Sequence, residues 1–158
     1  MTSITIDGID FQPVRKHQII IPNYYVSKCG KVYNTKRERY VKPYDAYRGK
    51  KSDGYPPKCK EFSVITEGQP FWDKGHKYNP KKGKGTRIEF KIKLHQAVLD
   101  GWSHYEIFLN TLSKEELISL SLENMMIDHI NDNPLDNRFE NLQYSTPLKN
   151  SNHRKKWK

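Results

Sequence analysis

The clearest pattern of apolar and polar positions lies between residues 87 and 94. Apolar residues occupy every second position there, and charged residues separate them. Such an alternation places the apolar side chains on one side of an extended backbone, so it predicts a strand with one buried face. The apolar positions are Ile88, Phe90, Ile92 and Leu94.

The spacing of apolar residues changes directly after this strand. Leu94, Val98 and Trp102 recur at intervals of four and fall on one face of a helix. We therefore predict a helix from Leu94 to Asp100, with Gly101 as its stop because glycine commonly follows a helix end. Two Ser-x-x-Glu patterns further along have the form of capping boxes and predict two short helices. These helices would cover residues 105–110 and 114–120.

Shorter strand patterns fill the first part of the chain. The segments with strand composition are residues 4–13, 17–26, 31–34 and 61–66. We expect Pro13 to break the first and Pro22-Asn23 to interrupt the second, while residues 28–30 form a hairpin turn. Residues 41–59 show no period and predict an irregular loop or a meander. The pattern indicates an α+β fold, with a β-rich region over residues 1–102 followed by a helical connector and a compact C-terminal unit over residues 103–158.

Composition narrows the class of protein. The chain has 158 residues, which suits one domain or a small domain with a docked module. It contains many aromatic residues, unlike disordered chains, and no apolar run is long enough to span a membrane. Cys29 and Cys59 lack metal-site spacing and are expected to be reduced thiols. With no signal-peptide pattern, we expect a cytoplasmic protein, in a bacterial cell or a phage-infected host.

The charge is positive and unevenly distributed. The formal net charge is +10, and residues 14–60 hold thirteen basic against three acidic side chains. Residues 103–140 reverse this balance, with two basic and eight acidic side chains. Basic flanks around an acidic centre favour salt-sensitive binding of a nucleic acid, with a solvated basic surface as the alternative. The Lys-Gly repeats within residues 73–86 predict a flexible basic loop, which either orders against phosphates or is a hairpin tip without a binding role.

The segment from residue 126 to residue 158 carries the candidate chemistry. A short apolar strand delivers Asp128-His129 into a loop dense in Asn and Asp, and a second strand follows over residues 142–145. Thr146-Pro147 has the form of an N-cap and first-turn proline, which predicts a helix carrying Asn150. Adjacent residues on a regular strand face opposite ways, so Asp128 and His129 require a strand end or a bulge to share one site.

The residue types in this segment suit phosphodiester hydrolysis. His129 stands directly beside a carboxylate, unlike the other five histidines, and an imidazole can take a proton from water near neutral pH. Asp128 and Asn150 offer oxygen ligands, which suit Mg²⁺ or Mn²⁺ better than Zn²⁺. A calcium loop of EF-hand type is excluded because its central glycine is missing.

The motif resembles that of the HNH, or ββα-metal, endonucleases, and most closely the homing endonucleases of phages and introns. The matching residues are Asp128-His129, Asn141-Leu142 and Asn150. Residues 24–36 are similar to the strand-turn-strand at the start of such proteins, and residues 94–98 to the helix before their nuclease motif. The resemblance implies a C-terminal ββα-metal unit that cleaves double-stranded DNA. It makes His129 the general base and Asp128 and Asn150 the metal ligands.

Other roles follow from the same resemblance and from the charge pattern. Asn141 is expected to brace the loop and to orient His129 through hydrogen bonds. We expect a monomer to nick DNA and a homodimer to cut both strands. Two alternatives stay open: a DNA-binding protein that does not cleave, and a structure-selective or RNA-directed nuclease. The residues expected to contact DNA are Lys149, His153, Arg154, Lys81, Lys82, Lys84, Arg37 and Arg39.

Overall fold

The N-terminal part forms an antiparallel sheet of five strands in sequence order. The computed structural model describes residues 2–16, 19–47, 49–67, 87–103, 109–119 and 126–146. The five strands are β1 (Ile4–Ile6), β2 (Ile9–Lys16), β3 (Ile19–Ser27), β4 (Val32–Asn34) and β5 (Arg39–Val41). The predicted turn over residues 28–30 and the strand that follows it are confirmed.

Two proline-containing sites in this sheet differ from expectation. Pro13 does not break β2, and β3 continues through Pro22 and Asn23. The pairing of β2 with β3 is irregular in this region, with a register shift between Pro13 and Arg15. Proline has no N–H group to donate, so strands accept it at bulges. Asn23 has a φ of 69°, which matches the ability of asparagine to adopt the left-handed conformation.

A second antiparallel sheet contains three strands. They are β6 (Tyr44–Tyr47), β7 (Pro57–Glu67) and β8 (Arg87–Lys93), in the order β6-β7-β8. The alternating segment is thus confirmed as β8, and the strand predicted over residues 61–66 is part of the longer β7. Of the two alternatives for residues 41–59, the structure favours the meander, because β6 pairs with the start of β7 there. The basic loop over residues 73–86 lies outside the described residues.

The helix α1 (Leu94–Trp102) packs against several of these strands. Ala97 and Val98 are completely buried, and they share one hydrophobic cluster with residues of both sheets. Trp102 Nε1 donates a hydrogen bond to Val26 O at 3.0 Å, which ties the end of α1 to the first sheet. A short helix, α2 (Lys114–Ser119), confirms the second predicted capping-box helix. Most of the first, over residues 105–110, lies outside the described residues.

The last described elements form a two-stranded hairpin. Its strands are β9 (Met126–His129) and β10 (Leu142–Ser145), and Leu142 belongs to the same hydrophobic cluster as α1. The architecture is therefore a mixed, strand-rich α+β fold with α1 at its centre. Both cysteines are free. Within the described part of the chain, no helix is long and apolar enough to cross a membrane.

The role predicted for Gly101 was wrong. The helix passes through Gly101 without a positive φ and ends at Trp102, where the Ser103 N–H group bonds to Leu99 O. A Cβ atom on Gly101 would lie 3.1 Å from Val26 Cγ1 and 3.5 Å from Pro13 O. Glycine is therefore needed because α1 approaches the first sheet closely, and not because the helix stops there.

This close approach predicts that Gly101→Ala destabilises the protein. Alanine favours a helix over glycine by about 1 kcal/mol. However, the added methyl group would lie 3.1 Å from Cγ1 of the fully buried Val26, closer than carbon atoms ordinarily approach. Overpacking of this kind costs about 1–3 kcal/mol. We expect a net fall in the free energy of unfolding of about 1 kcal/mol in urea titrations.

A double-mutant cycle separates the two effects. Val26→Ala removes the methyl group that the new side chain would meet. In the Val26→Ala background, Gly101→Ala should therefore raise the free energy of unfolding, through helix propensity alone. A stabilising effect of Gly101→Ala in the wild-type background would contradict the close-packing explanation.

Candidate active site

The β9-β10 hairpin positions the Asp-His pair. His129 is opposite Leu142 and Asp128 is opposite Gln143, with no register shift between the strands. Because side chains alternate along a strand, His129 shares a face with the buried Leu142, and Asp128 shares the other face with the exposed Gln143. No bulge is present in this hairpin. His129 is the last residue of β9, but its regular pairing with Leu142 leaves its side chain on the face opposite that of Asp128, so the strand end does not by itself bring the two side chains together.

One ring nitrogen of His129 is held by a buried asparagine. His129 Nε2 lies 3.0 Å from Asn137 Oδ1, and Asn137 is only 5% exposed. Asn137 Nδ2 donates to Leu135 O at 3.3 Å, so the amide presents its oxygen to the histidine. An amide oxygen only accepts, and His129 must therefore donate from Nε2. The tautomer fixed in this way leaves a lone pair on Nδ1, the nitrogen that could accept a proton.

Asn141 makes its side-chain hydrogen bonds within the loop, and the side chain that bonds to the His129 ring is that of Asn137. Asn141 Nδ2 donates to Asn131 Oδ1 and to Asp136 O, both at 2.9 Å. Asn141 Oδ1 accepts from the Asn131 N–H group at 3.0 Å. The Asn141 carbonyl also accepts from the Ile130 N–H group at 2.8 Å, so its link to His129 runs through the backbone.

The remaining polar groups of the loop are largely used within it. Asn131 and Asn133 each accept a hydrogen bond from a backbone N–H group two residues later, as in Asx turns. The Arg138 guanidinium binds both carboxylate oxygens of Asp136, at 2.8 and 2.9 Å. Hydrogen bonds from Arg138 hold the pKa of Asp136 well below its usual range. Asp136 is thus engaged in shaping the loop.

Asp128 is the one of the two predicted metal ligands that lies within the described residues. Its carboxylate receives a hydrogen bond from Gln143 Nε2 at 3.1 Å, and the side chain is half-buried. In the described part of the chain, no group of three or more His, Cys, Asp and Glu residues is arranged to hold a metal. A single carboxylate fits Mg²⁺, which binds through one or two carboxylates together with water and phosphate oxygens. The second predicted ligand, Asn150, lies outside the described residues.

His95, which no sequence pattern singled out, lies beside His129. It lies in the first turn of α1, and its ring centroid is 5.1 Å from that of His129, with the planes at 74°. Burial, followed by the proximity of His129 and Lys93, lowers the pKa of His95 to about 3, so the imidazole is neutral. Neither its neighbours in sequence nor its spacing signals a contact with a residue so far along the chain. Asn137 was missed for the same reason.

The predicted DNA-contacting residues are only partly described. Arg37 and Arg39 are exposed, and the Arg37 N–H group donates to Asn34 Oδ1 in the turn between β4 and β5. The turn between β3 and β4 contacts the loop of the hairpin, because Lys28 O accepts from the Phe139 N–H group at 2.8 Å. The predicted site residues outside the described part of the chain are Lys81, Lys82, Lys84, Lys149, Asn150, His153 and Arg154.

A second buried polar contact anchors the hairpin to α1. The Tyr144 hydroxyl on β10 donates to the carboxylate of Asp100, which is 5% exposed. Ser103 Oγ, just after the helix, lies 3.2 Å from the same hydroxyl. Burial raises the pKa of Asp100 to about 6, against smaller lowering effects of the Tyr144 hydrogen bond and the Arg15 charge.

Comparisons with known proteins agree with this motif. A family model described as HNH endonuclease matches residues 121–152. No curated protein matches the chain at a significant level. A solved structure titled "DNA binding and cleavage by the HNH homing endonuclease I-HmuI" is similar over 99% of the chain, with a TM-score of 0.51 and 16% sequence identity. The chain spans 59% of that structure's length. The similarity to HNH homing endonucleases is thereby confirmed, in motif and in fold.

The hydrogen bonds of Asn141 predict that Asn141→Ala strongly destabilises the protein. The side chain is 6% exposed and makes three hydrogen bonds, so its removal leaves buried loop groups without partners. We expect a loss of about 2–4 kcal/mol in the free energy of unfolding, measured by chemical denaturation. Asn133→Ala removes an exposed Asx-turn bond from the same loop and is the matched control. Equal losses in the two variants would contradict the bracing role.

The buried Asp100 predicts a pH-dependent stability. Its folded pKa of about 6 lies above its ordinary value of 3.8, so its contribution is fully present below about pH 4 and is lost as the pH rises through about 6. Asp100→Asn keeps an acceptor for Tyr144 and removes the titration. The stability of the variant relative to wild type should therefore rise between pH 4 and pH 7, by up to about 3 kcal/mol.

The measurement is thermal or urea unfolding of both proteins across this pH range. Asp45→Asn, on the partly exposed strand β6, controls for the general effect of removing one negative charge. A difference between Asp100→Asn and wild type that stays constant with pH would show that Asp100 titrates alike in the folded and unfolded chains.

Proposed function

We propose that this protein is a metal-dependent DNA endonuclease of HNH type that hydrolyses phosphodiester bonds in double-stranded DNA. The observation that carries the proposal is the hydrogen bond that fixes the tautomer of His129. This residue lies in the segment matched by the HNH endonuclease model. Its Nε2 donates to Asn137, so Nδ1 is free to accept a proton. The match to the family model supports phosphodiester hydrolysis as the reaction, and the hydrogen bond to Asn137 supports His129 as the general base.

His129 would act as the general base. Its Nδ1 would take a proton from the attacking water, while the bond to Asn137 keeps the ring in one orientation. The Asn137 oxygen, which accepts the hydrogen bond from Nε2, would stabilise the positive charge that forms on the imidazole. Asn141 would serve this step indirectly, by fixing the loop that carries Asn137.

Asp128 and Asn150 would hold the metal ion, Mg²⁺ or Mn²⁺. The carboxylate of Asp128 has the donor type that these ions prefer, whereas Zn²⁺ is better served by histidine and cysteine. When bound, the ion would neutralise charge on the scissile phosphate and stabilise the leaving oxygen. Gln143, which donates to Asp128, would keep the carboxylate in place.

The rest of the chain would place the DNA. The net charge of +10 and the exposed side chains of Arg37 and Arg39 favour contacts with phosphates. We assign this role to residues 1–102 and assign cleavage to residues 103–158, with Mg²⁺ as the preferred ion. The further phosphate contacts would be Lys81, Lys82, Lys84, Lys149, His153 and Arg154. The similar structure's title describes DNA binding and cleavage by a homing endonuclease, which supports site-specific action here.

The number of strands cut would depend on assembly. One chain carries one candidate site, so a monomer would nick and a homodimer would cut both strands. The place of action would be the cytoplasm of a bacterial cell or of a phage-infected host.

The proposal predicts that His129→Ala abolishes cleavage and leaves binding intact. Removal of a general base lowers the rate by about 10² to 10⁴-fold. We expect wild-type protein to convert supercoiled plasmid to nicked circles with Mg²⁺ or Mn²⁺, and EDTA to prevent this. Tyr55→Ala, an exposed substitution, is the control that should cleave normally. Binding of the His129→Ala variant to the plasmid is measured by gel shift in EDTA.

The outcomes separate the alternatives. DNA binding without cleavage by the wild type in either metal would indicate a binding protein on a nuclease frame. Equal cleavage by wild type and His129→Ala would contradict the assigned base. Parallel digestion of duplex DNA, branched DNA and RNA tests the choice of substrate, and preference for branched DNA or RNA would contradict the duplex-specific proposal.

A further inference from the structure

His95 of α1 contacts His129 of the hairpin through its imidazole ring. The two rings meet edge to face, with centroids 5.1 Å apart, although 33 residues separate them in the sequence. His95 Nδ1 is buried and has no hydrogen-bond partner, alone among the buried side-chain polar atoms of the described residues. A buried polar atom without a partner costs about 1–3 kcal/mol, so its presence calls for an explanation.

The position of His95 in α1 restricts the motion of its side chain, so that its ring can support the ring of His129. It is held in the first turn of α1, between the buried residues Leu94 and Ala97. A side chain fixed on a buried helix is a more precise support than one on a loop. Asn137, by contrast, belongs to the loop and holds the His129 ring at one nitrogen only. A single hydrogen bond leaves the ring free to swing about it unless a second contact limits the motion.

We propose that His95 is a positioning residue of the nuclease site, whose ring packs against His129 and keeps it in the rotamer that bonds to Asn137. This inference rests on the proposed function of His129 as the base. Two contacts then define the ring: Asn137 fixes the nitrogen that carries the proton, and His95 fixes the plane. Because His95 is uncharged, it adds no positive charge beside an imidazole that must itself become positive.

Removal of the supporting ring tests the proposal. His95→Ala leaves a space beside His129, so the ring can turn and exchange its two nitrogens at Asn137. We expect kcat for plasmid nicking to fall by about tenfold to a hundredfold with KM within about twofold of wild type, as for a misplaced catalytic group. His95→Phe restores an uncharged ring at this position and should recover most of the lost kcat.

A spectroscopic readout tests the same claim without cleavage. The ¹⁵N chemical shifts of the His129 imidazole report which nitrogen carries the proton. Wild type should show the Nε2–H form alone, His95→Ala a mixture of both forms, and His95→Phe mainly the Nε2–H form. Val64→Ala, at a fully buried position of β7, is the control for lost stability and should leave the tautomer unchanged.

The outcomes are separable. If wild type does not cleave, the proposed function fails, and the tautomer measurement still decides the role of His95. An unchanged His129 tautomer and unchanged kcat in His95→Ala would overturn the positioning role. A loss of kcat in His95→Phe as large as in His95→Ala, with both variants folded and the Phe variant's His129 in the Nε2–H form, would also overturn it. That result would mean that a nitrogen of His95, rather than its packing, is needed.

Discussion

The burial of α1 is the constraint on which the rest of the structure depends. Ala97 and Val98 are completely buried, in a cluster that combines residues of both sheets with Leu142 of the hairpin. The same helix bonds to the first sheet through Trp102 and to the hairpin through Asp100. Apolar burial is roughly proportional to area and has no direction, so it brings these parts together without fixing their register. The polar contacts at the helix supply that register.

The loop between β9 and β10 is organised by a different kind of interaction. It is too polar to be held by apolar packing, and its shape is fixed by amide groups that satisfy backbone donors and acceptors. Asn141 does this from a buried position, and Asn137 continues the network to His129. In a low-dielectric environment each such bond is strong, and each is costly to leave unmade. The geometry of the candidate base therefore depends on asparagines that do not themselves take part in proton transfer.

Sequence patterns predicted the elements that local chemistry determines. The alternation along β8, the turn before β4 and the start of α2 all depend on neighbouring residues, and the structure confirms them. Gly101 was misread because its role lies in a tertiary approach to Val26. The contact of Asn137 with His129 was missed for a similar reason. Both asparagines lie in one loop, and only the folded path of the loop decides which of them faces His129.

Two features of α1 lower stability, and both occur where the helix meets the hairpin. His95 Nδ1 has no partner, and burial raises the pKa of Asp100 to about 6, so ionisation of that carboxyl at neutral pH opposes folding. A neutral amide in place of Asp100 would avoid the second of these costs. Proteins tend to retain unfavourable local features where function requires them. This coincidence favours α1 as a part of the candidate site, and it argues against a helix that serves only as a scaffold for the core.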